Sequence, residues 1–369
     1  MRYIISFIKR EPVLVAAAVC AAVSCCFVPP DGAYWGYFDL RTLALLYCLM
    51  VVVAGLRQAG LFDRMAHALC GRAGTVRGLA MVLVGLSFFS AMVITNDVAL
   101  LTFVPFAVTV LTLCGRQRDL IYIVVLQTVA ANLGSMLTPV GNPQNLYLYS
   151  RYNMAFGDFF AITAPVWGLS LVLLAAACLP VSREKPALAL GDVPEVDRRK
   201  LWVNGGLFIV CLLVVVHVVP WWGMLGIVAA ALGVFDRKAL RQADFMLLLT
   251  FCAFFIFSGN LGRIEAVAAA LRRLMTGHEY MAALLSSQVI SNVPAALLLS
   301  GFTDKVRPLV LGVNVGGLGT PIASLASLIS LKLYGKAEGA RTGRYLAVFT
   351  IVNVLFLAVL TAVVLLIGA

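Results

Sequence analysis

One polar pattern, N-x-G-x-x-x-T-P, occurs twice in an otherwise apolar chain. Its two copies are Asn132, Gly134, Thr138 and Pro139, and Asn314, Gly316, Thr320 and Pro321. Glycine and proline are the two weakest helix formers, and proline also lacks a backbone donor. Backbone groups opened inside an apolar segment must face protein, water or a ligand. The pattern therefore predicts two broken helices whose oxygens could bind an ion or substrate.

Two polar tripeptides, Thr95-Asn96-Asp97 and Ser291-Asn292-Val293, interrupt the apolar segments that precede the two copies. If each segment folds as a helical hairpin, the tripeptide forms its tip, between the carbonyl end of one helix and the N–H end of the next. Carbonyl and side-chain oxygens suit Na⁺, and helix N-termini suit an anion. We expect possible Na⁺ ligands at Thr95, Asn96, Asn132, Ser291, Asn292 and Asn314.

Asp97 is the one carboxylate that the sequence places deep in an apolar element. An ionisable group at that depth is costly and indicates a function, either neutralising a bound cation or carrying a proton. The alternative is that Asp97 caps the second helix of its hairpin, and both roles can hold together. The second tip has Val293 and Pro294 at this place, so we expect the two sites to differ in charge.

The residues that follow the two prolines also differ between the copies. Asn142 and Asn145 follow the first, and we assign their amides to the site. Ser324 and Ser327 follow the second, where small residues could equally serve helix packing.

The composition is that of a membrane protein. Hydrophobic residues make up 62% of the 369 residues and charged residues 12%, whereas a soluble domain carries about 25% charged residues. The net charge of +11 comes from lysine and arginine scattered between apolar runs, which is typical of cytoplasmic loops and not of a nucleic-acid surface. The nine cysteines include no C-x-x-C pair, so neither a metal site nor a disulfide framework is indicated. The expected partner is the lipid bilayer, with no nucleic acid.

The order of apolar and polar segments predicts an all-α polytopic membrane protein with about nine full spans, two re-entrant hairpins and inverted repeats. The first repeat covers residues 1–180, with its hairpin at 79–113 built from two half-length helices. Residues 181–219 form a cytoplasmic linker and a connecting span. The second repeat covers residues 220–369, with its hairpin at 280–301.

Three details of this topology concern charge. The basic N-terminus precedes an apolar run without a clean cleavage site, so we interpret that run as a retained first span. The arginines of residues 56–77, on a partly apolar background, predict an amphipathic helix on the cytoplasmic face. Arg263, Arg272 and Arg273 then lie outside, against the positive-inside tendency.

No enzyme motif competes with transport. The chain has no GxxxxGK[ST] loop, which argues against an ATP-driven pump, and no H-E-x-x-H or G-x-S-x-G. We expect no cofactor, and Na⁺ or H⁺ as the coupling ion.

Four segments carry a resemblance to a known superfamily. They are ITNDVAL (94–100), NLGSMLTPVGNPQN (132–145), SQVISNVPAALLL (287–299) and NVGGLGTPIASLAS (314–327). In this order, over essentially the whole chain, they resemble the ion transporter superfamily, which groups divalent anion:sodium symporters, citrate-type transporters, arsenite permeases and one class of Na⁺/H⁺ antiporters. They look most like the short bacterial inner-membrane anion transporters of the citrate-transporter-like group.

The resemblance implies a scaffold domain, a transport domain with two re-entrant hairpins, a homodimer and elevator-type alternating access. In the symporters of this superfamily, Ser-Asn-Thr tips bind Na⁺ and the carboxylate substrate. Here the tips read Thr95-Asn96-Asp97 and Ser291-Asn292-Val293. The Asn96-Asp97 pair is similar to the Asn-Asp pair of the arsenite permease and antiporter branches, so the resemblance favours those branches.

These readings predict a secondary active transporter in a bacterial-type cytoplasmic (inner) membrane that moves a small anion, a carboxylate or an oxyanion, coupled to Na⁺ or H⁺. One alternative is a Na⁺/H⁺ antiporter or an arsenite-type permease that uses Asp97. The others are a passive channel and a non-transporting membrane enzyme or sensor.

Overall fold

The computed structural model describes residues 11–185 and 195–368, and these residues form helices joined by short turns. The predicted basic flank of the first span, and Pro186 and Pro194 of the predicted linker, lie outside the described residues. In the first half the helices are α1 Pro12–Phe27, α2 Leu40–Gln58, α3 Leu61–Cys70, α4 Val76–Ile94, α5 Asn96–Leu113, α6 Gln117–Gly134, α7 Pro143–Arg151 and α8 Phe156–Cys178. Then follow α9 Arg198–Val215, α10 Trp221–Phe235, α11 Phe245–Arg263, α12 Glu265–Met275, α13 Glu279–Ile290, α14 Asn292–Leu299, α15 Val306–Val315, α16 Leu325–Tyr334 and α17 Thr342–Leu366.

Seven of the described helices are long and apolar enough to cross a membrane. They are α2, α4, α5, α6 with the turn that follows it, α8, α11 and α17. The predicted all-α, multi-pass class is therefore confirmed. Several shorter apolar helices, α1, α10, α15 and α16 among them, have 10–17 residues. The count of about nine spans and the inverted relation of the halves stay predictions.

Each predicted hairpin segment folds as two helices that pack against each other, and their re-entrant course stays a prediction. α4 and α5 have 19 and 18 residues, so the expectation of two half-length helices was wrong for the first hairpin. The apolar sequence continues as helix on both sides of the tip, and α5 runs on through Pro105. In the second hairpin α13 and α14 have 12 and 8 residues.

The chain reverses at a single residue in each hairpin, Thr95 with φ 72° and Ser291 with φ 74°. A non-glycine residue with positive φ costs on the order of 1–3 kcal/mol, and such residues cluster at functional sites. The same strained geometry at both tips is a shared feature of the two hairpins.

Both copies of the repeated pattern interrupt a helix, as predicted. α6 ends at Gly134, and two short 3₁₀ turns that flank Thr138 lead to α7. α15 ends at Val315, and non-helical residues that include Pro321 lead to α16. Each break combines glycine and proline, the two weakest helix formers, within one short segment.

The helix after each break crosses to the other half of the chain. α7 packs against α14 and α15, whereas α16 packs against α5 and α6. This exchange brings both tips and both breaks into one body, which we call the core group, formed by α4–α8 and α13–α17.

A second set of helices packs beside the core group. α2 contacts α9, α10 and α11, and α11 also packs along α1. We call α1, α2 and α9–α11 the peripheral group. It touches the core group mainly where α2 meets α7 and where α11 meets α14.

Arg263, one of the arginines that the predicted topology leaves outside, is paired. Its guanidinium contacts both carboxylate oxygens of Asp31, at 3.0 and 2.7 Å, and donates to the Tyr37 hydroxyl at 3.1 Å. The hydrogen bond from Arg263 lowers the pKa of Asp31 below its usual range. Both partners precede α2 in the chain, so this arginine is not an unpaired charge.

Gly134 offers a test of the packing between the first break and its hairpin. A Cβ at this position would lie 2.0 Å from the carbonyl oxygen of Phe88, whereas a Cβ at Gly168 in α8 would have no neighbour within 4 Å. We expect Gly134→Ala to destabilise the purified protein by roughly 1–3 kcal/mol, because overpacking forces backbone shifts. Thermal unfolding in detergent measures this. Equal melting temperatures for Gly134→Ala and the control Gly168→Ala would contradict the packing.

Candidate functional site

The first tip and the first break meet through two asparagines. The Asn96 side chain donates to Asn132 Oδ1 at 3.1 Å, and Ser324 Oγ donates to the same oxygen at 2.9 Å. The Asn132 amide donates to Ser327 Oγ at 3.4 Å. All four side chains are buried. One oxygen therefore joins a tip, a broken helix and the segment that follows the break in the other half.

The second broken helix is held in the equivalent way. Asn314 donates to Asn145 Oδ1 at 2.7 Å and accepts a bond from the Asn142 amide at 3.2 Å. Each asparagine of the repeated pattern therefore bonds to residues that follow the other copy's proline. The Asn314 side chain meets Asn142 and Asn145 of the first half because α7 crosses over.

The threonines of the pattern fasten each break to its own hairpin. Thr138 Oγ1 donates to the carbonyl of Met92, and Thr320 Oγ1 donates to the carbonyl of Gln288 at 3.0 Å. The adjoining prolines, Pro139 and Pro321, lie in the same non-helical turns. These threonines therefore position the breaks, and their hydroxyls are already used as donors.

Close approach explains the glycines of the pattern. A Cβ on Gly134 would meet the Phe88 carbonyl, and a Cβ on Gly316 would lie 2.9 Å from the Leu284 Cα. Both contacts are with the first arm of the neighbouring hairpin.

The second tip is bonded to the segment that follows the second break. Ser291 Oγ and the Asn292 N–H both donate to the Ala323 carbonyl, at 3.3 and 2.9 Å.

Gln288 is a structural residue of the centre that the sequence reading missed. Its amide nitrogen donates to the carbonyls of Gly316 and Leu318 at 2.8 and 2.9 Å, and its oxygen accepts from the Thr320 N–H at 2.9 Å. It satisfies the backbone that the second break opens. In the sequence Gln288 is an amide one helical turn before the second tip. The equivalent residue of the first half is the apolar Met92, so the two repeats share no polar residue at this position.

In the first break an asparagine supplies the amide instead. Asn145 Nδ2 lies 3.3–3.4 Å from the carbonyl oxygens of Ser135, Met136 and Thr138. Three long bonds to one nitrogen are weaker than the shorter pair that Gln288 makes. The opened backbone is therefore held more loosely in the first break.

A cavity of about 450 Å³ reaches the first tip from the side of α2. Thr95, Asp97 and Asn142 are among its lining residues, and its other charged lining residues are Arg57, Asp63 and Asp244. The Asp97 carboxylate accepts no hydrogen bond from the described residues, and Asp97 does not cap α5. Its carboxylate is therefore available to an ion or substrate in the cavity.

A second cavity of about 660 Å³ lies at the opposite ends of α2 and α11. Its polar lining residues are Tyr37, Asp39, Arg41, Tyr147, Ser150, Arg151 and Ser258. Neither Ser291 nor Asn292 lines it, and both are buried. Access to the two tips is therefore unequal in this conformation.

The residues assigned to Na⁺ fall into two sets. Thr95 lines the first cavity, whereas Asn96, Asn132, Ser291, Asn292 and Asn314 are buried. The structure brings Asn96 and Asn132 together and places Asn314 with the asparagines after the first break. Within the described residues no group of three or more His, Cys, Asp or Glu could hold a metal ion. The Na⁺ assignment stays a prediction.

Comparison with known proteins decides the family. A sequence model of the citrate transporter family (CitMHS) matches residues 3–308. The chain belongs to the citrate transporter family. This agrees with the resemblance drawn from the four motif segments.

Relatives in this family carry the names of transporters or membrane proteins and not of enzymes. Inner membrane protein YbiR of Escherichia coli (strain K12) is 35% identical over 314 residues, which cover 83% of each chain. Uncharacterized transporter MJ0456 of Methanocaldococcus jannaschii is 30% identical over 327 residues, 88% of this chain and 89% of that protein. The protein is therefore a multi-pass membrane transporter, as expected.

The fold has a solved counterpart in the YdaH transporter of Alcanivorax borkumensis. The TM-score is 0.56 at 17% sequence identity, and the match covers 90% of this chain and 86% of that one. At this identity the likeness shows the fold of a transporter and carries no information on cargo.

Gln288 gives a test of the second break. In Gln288→Leu the carbonyls of Gly316 and Leu318 lose their donor, and each unpaired buried group costs about 1–3 kcal/mol. We expect a clear fall in the thermal unfolding temperature. The control Gln117→Leu changes an exposed glutamine at the start of α6. A melting temperature for Gln288→Leu equal to that of the control would show that this amide does not hold the break.

Proposed function

We propose that the chain is a secondary active transporter that moves a small anion, a carboxylate or an oxyanion, across the cytoplasmic membrane together with H⁺, through an elevator-type motion of the core group. The observation that carries the proposal is the cavity lined by Asp97, the one acid at either hairpin tip. We also propose a homodimer, as the resemblance to the superfamily implies.

The charge of Asp97 is what would couple the anion to the proton. Its carboxylate faces the cavity without a hydrogen-bond donor among the described residues, beside the N-terminus of α5. An ionised Asp97 repels an anion, whereas a protonated one leaves the helix N-terminus and Arg57 to attract it. A Na⁺ ion beside Asp97 would neutralise the same charge, so Na⁺ is the other coupling ion to test.

Two cavities at opposite ends of α2 support alternating access. The first reaches its tip and the second stops short of the other tip. Each lies between a helix of the peripheral group and residues of the core group. A displacement of the core group along α2 and α11 would close the first cavity and deepen the second, which is the motion that an elevator requires.

A second candidate is a Na⁺/H⁺ antiporter or an arsenite-type permease that uses Asp97. The charge of the first cavity favours it, since Asp63, Asp97 and Asp244 face a single guanidinium there. Three carboxylates would attract a cation and disfavour a multiply charged anion.

Ligand-induced stabilisation separates the candidates, because a ligand bound only by the folded state raises its melting temperature. The panel holds carboxylates, phosphate, arsenite and silicate, each with and without Na⁺. Silicate is included because a rice relative, 31% identical over 157 residues that cover 41% of this chain, is named silicon efflux transporter LSI3. Stabilisation by a carboxylate or an oxyanion supports the first candidate, and stabilisation by Na⁺ alone supports antiport.

Asp97→Asn tests the coupling directly. The amide keeps the size of the side chain but cannot release a proton, so we expect at least a tenfold loss of proton-driven uptake in proteoliposomes. The control Asp236→Asn changes a carboxylate that accepts from the Ala239 N–H and does not line the cavity. Unchanged uptake by folded Asp97→Asn, with its full dependence on the proton gradient, would contradict the proposal.

A further inference from the structure

Arg57 forms a hydrogen bond between the two groups of helices. It lies in the last turn of α2, in the peripheral group, and its Nη2 donates to the carbonyl of Leu101 at 3.0 Å. Leu101 belongs to α5, the second arm of the first hairpin. Any displacement of that hairpin along α2 must break this bond.

The Leu101 carbonyl is free because of a proline. In a helix the carbonyl of residue 101 accepts from the N–H of residue 105, and residue 105 of α5 is Pro105, which has no N–H. Leu101 is partly buried and Arg57 is exposed, so this carbonyl needs a donor from outside the helix and the guanidinium competes with water for it. A guanidinium suits this place, since hydrogen bonds from charged donors are stronger than those between neutral groups.

Arg57 is also placed to respond to what enters the cavity. It lines the same cavity as Asp97, and Leu101 lies one helical turn from Asp97 on the same arm. None of the ion pairs among the described residues involves Arg57, although Asp63 and Asp244 line that cavity too. A backbone carbonyl holds the guanidinium more weakly than a carboxylate would, which keeps the contact reversible.

We infer that Arg57, the Leu101 carbonyl and Pro105 form a releasable latch that holds the first hairpin against α2 while the cavity is open to Asp97. Arg57 is a positioning residue. Pro105 leaves the Leu101 carbonyl without its usual N–H donor in the helix, and this carbonyl is the acceptor that Arg57 uses. The inference rests on the proposed function, because a latch matters only if the hairpin moves.

A distance measurement reads the latch without using transport. Spin labels replace two exposed residues, Gln117 at the start of α6 in the core group and Lys238 after α10 in the peripheral group. The partly exposed cysteines are first changed to alanine, namely Cys20, Cys25, Cys26 and Cys252. Pulsed electron paramagnetic resonance in lipid nanodiscs then gives the populations of the docked and displaced hairpin.

Arg57→Gln should lower the ratio of docked to displaced populations about tenfold, which corresponds to about 1.4 kcal/mol. Pro105→Ala should produce a similar shift, because the introduced alanine supplies a backbone N–H to the Leu101 carbonyl within the helix. In the double variant the second change should add nothing, since both remove the same bond.

The matched control is Pro165→Ala, which removes the internal proline of α8. This substitution raises helix propensity in the same way but does not change the bond between Arg57 and Leu101, so the populations should stay at the wild-type ratio. Arg57→Gln should keep its tenfold effect in the Pro165→Ala background. The latch is overturned if Pro105→Ala keeps the wild-type ratio of docked to displaced populations. It is also overturned if Arg57→Gln lowers that ratio a further tenfold in the double variant. Because replacing a helical proline favours the helix, Pro105→Ala serves even if Arg57→Gln fails to fold.

Uptake assays on the same variants keep the two proposals apart. If the populations shift as expected but no carboxylate or oxyanion is transported, the latch stands and the proposed function falls. If uptake is present but every variant shows one unchanged distance, the latch falls and the transport proposal remains.

Discussion

The fold depends on how the backbone groups opened by two broken helices are satisfied away from water. Each unpaired group in an apolar medium costs several kcal/mol, so a break persists only where polar partners surround it. In this protein Gln288 and Asn145, each from the same half as the break it closes, supply partners to the opened backbone, and the asparagines of the breaks bond across to side chains of the other half. Asn132 bonds to Ser324, and Asn314 bonds to Asn142 and Asn145. The two breaks therefore stabilise each other, and neither half is complete by itself.

The same constraint is met differently in the two halves. The second break is closed by the short bonds of Gln288 to main-chain carbonyls, whereas the first is closed by the longer bonds of Asn145. The first tip carries Asp97 and is reached by a cavity, while the second tip carries Val293 and is buried. The sequence difference at the tips thus coincides with a difference in access. The half with the looser backbone is the one that holds the titratable group.

The breaks and tips could be predicted from the sequence because proline, glycine and polar tripeptides are local signals in an apolar chain. The crossing of α7 and α16 between halves could not, since periodicity within a segment says nothing about which distant helix it contacts. For the same reason the bonds of Asn314 to the first half, and the role of Gln288, were not predicted. The full length of α4 and α5 could not be predicted, because a polar tripeptide indicates where two helices end and begin but not how long they are. Arg57 falls in the predicted amphipathic helix over residues 56–77, whereas the structure places it in the last turn of α2, against Leu101.

The measurement that bears most directly on the central claim is a double-mutant cycle across the two halves. Asn132→Ala, Ser324→Ala and the double variant are compared by thermal unfolding of the purified protein. The mutual support of the breaks predicts a coupling of at least about 0.5 kcal/mol between these residues, because residues that share a hydrogen bond are not additive. Additive effects of the two substitutions would show that the halves do not hold each other, and would contradict the account.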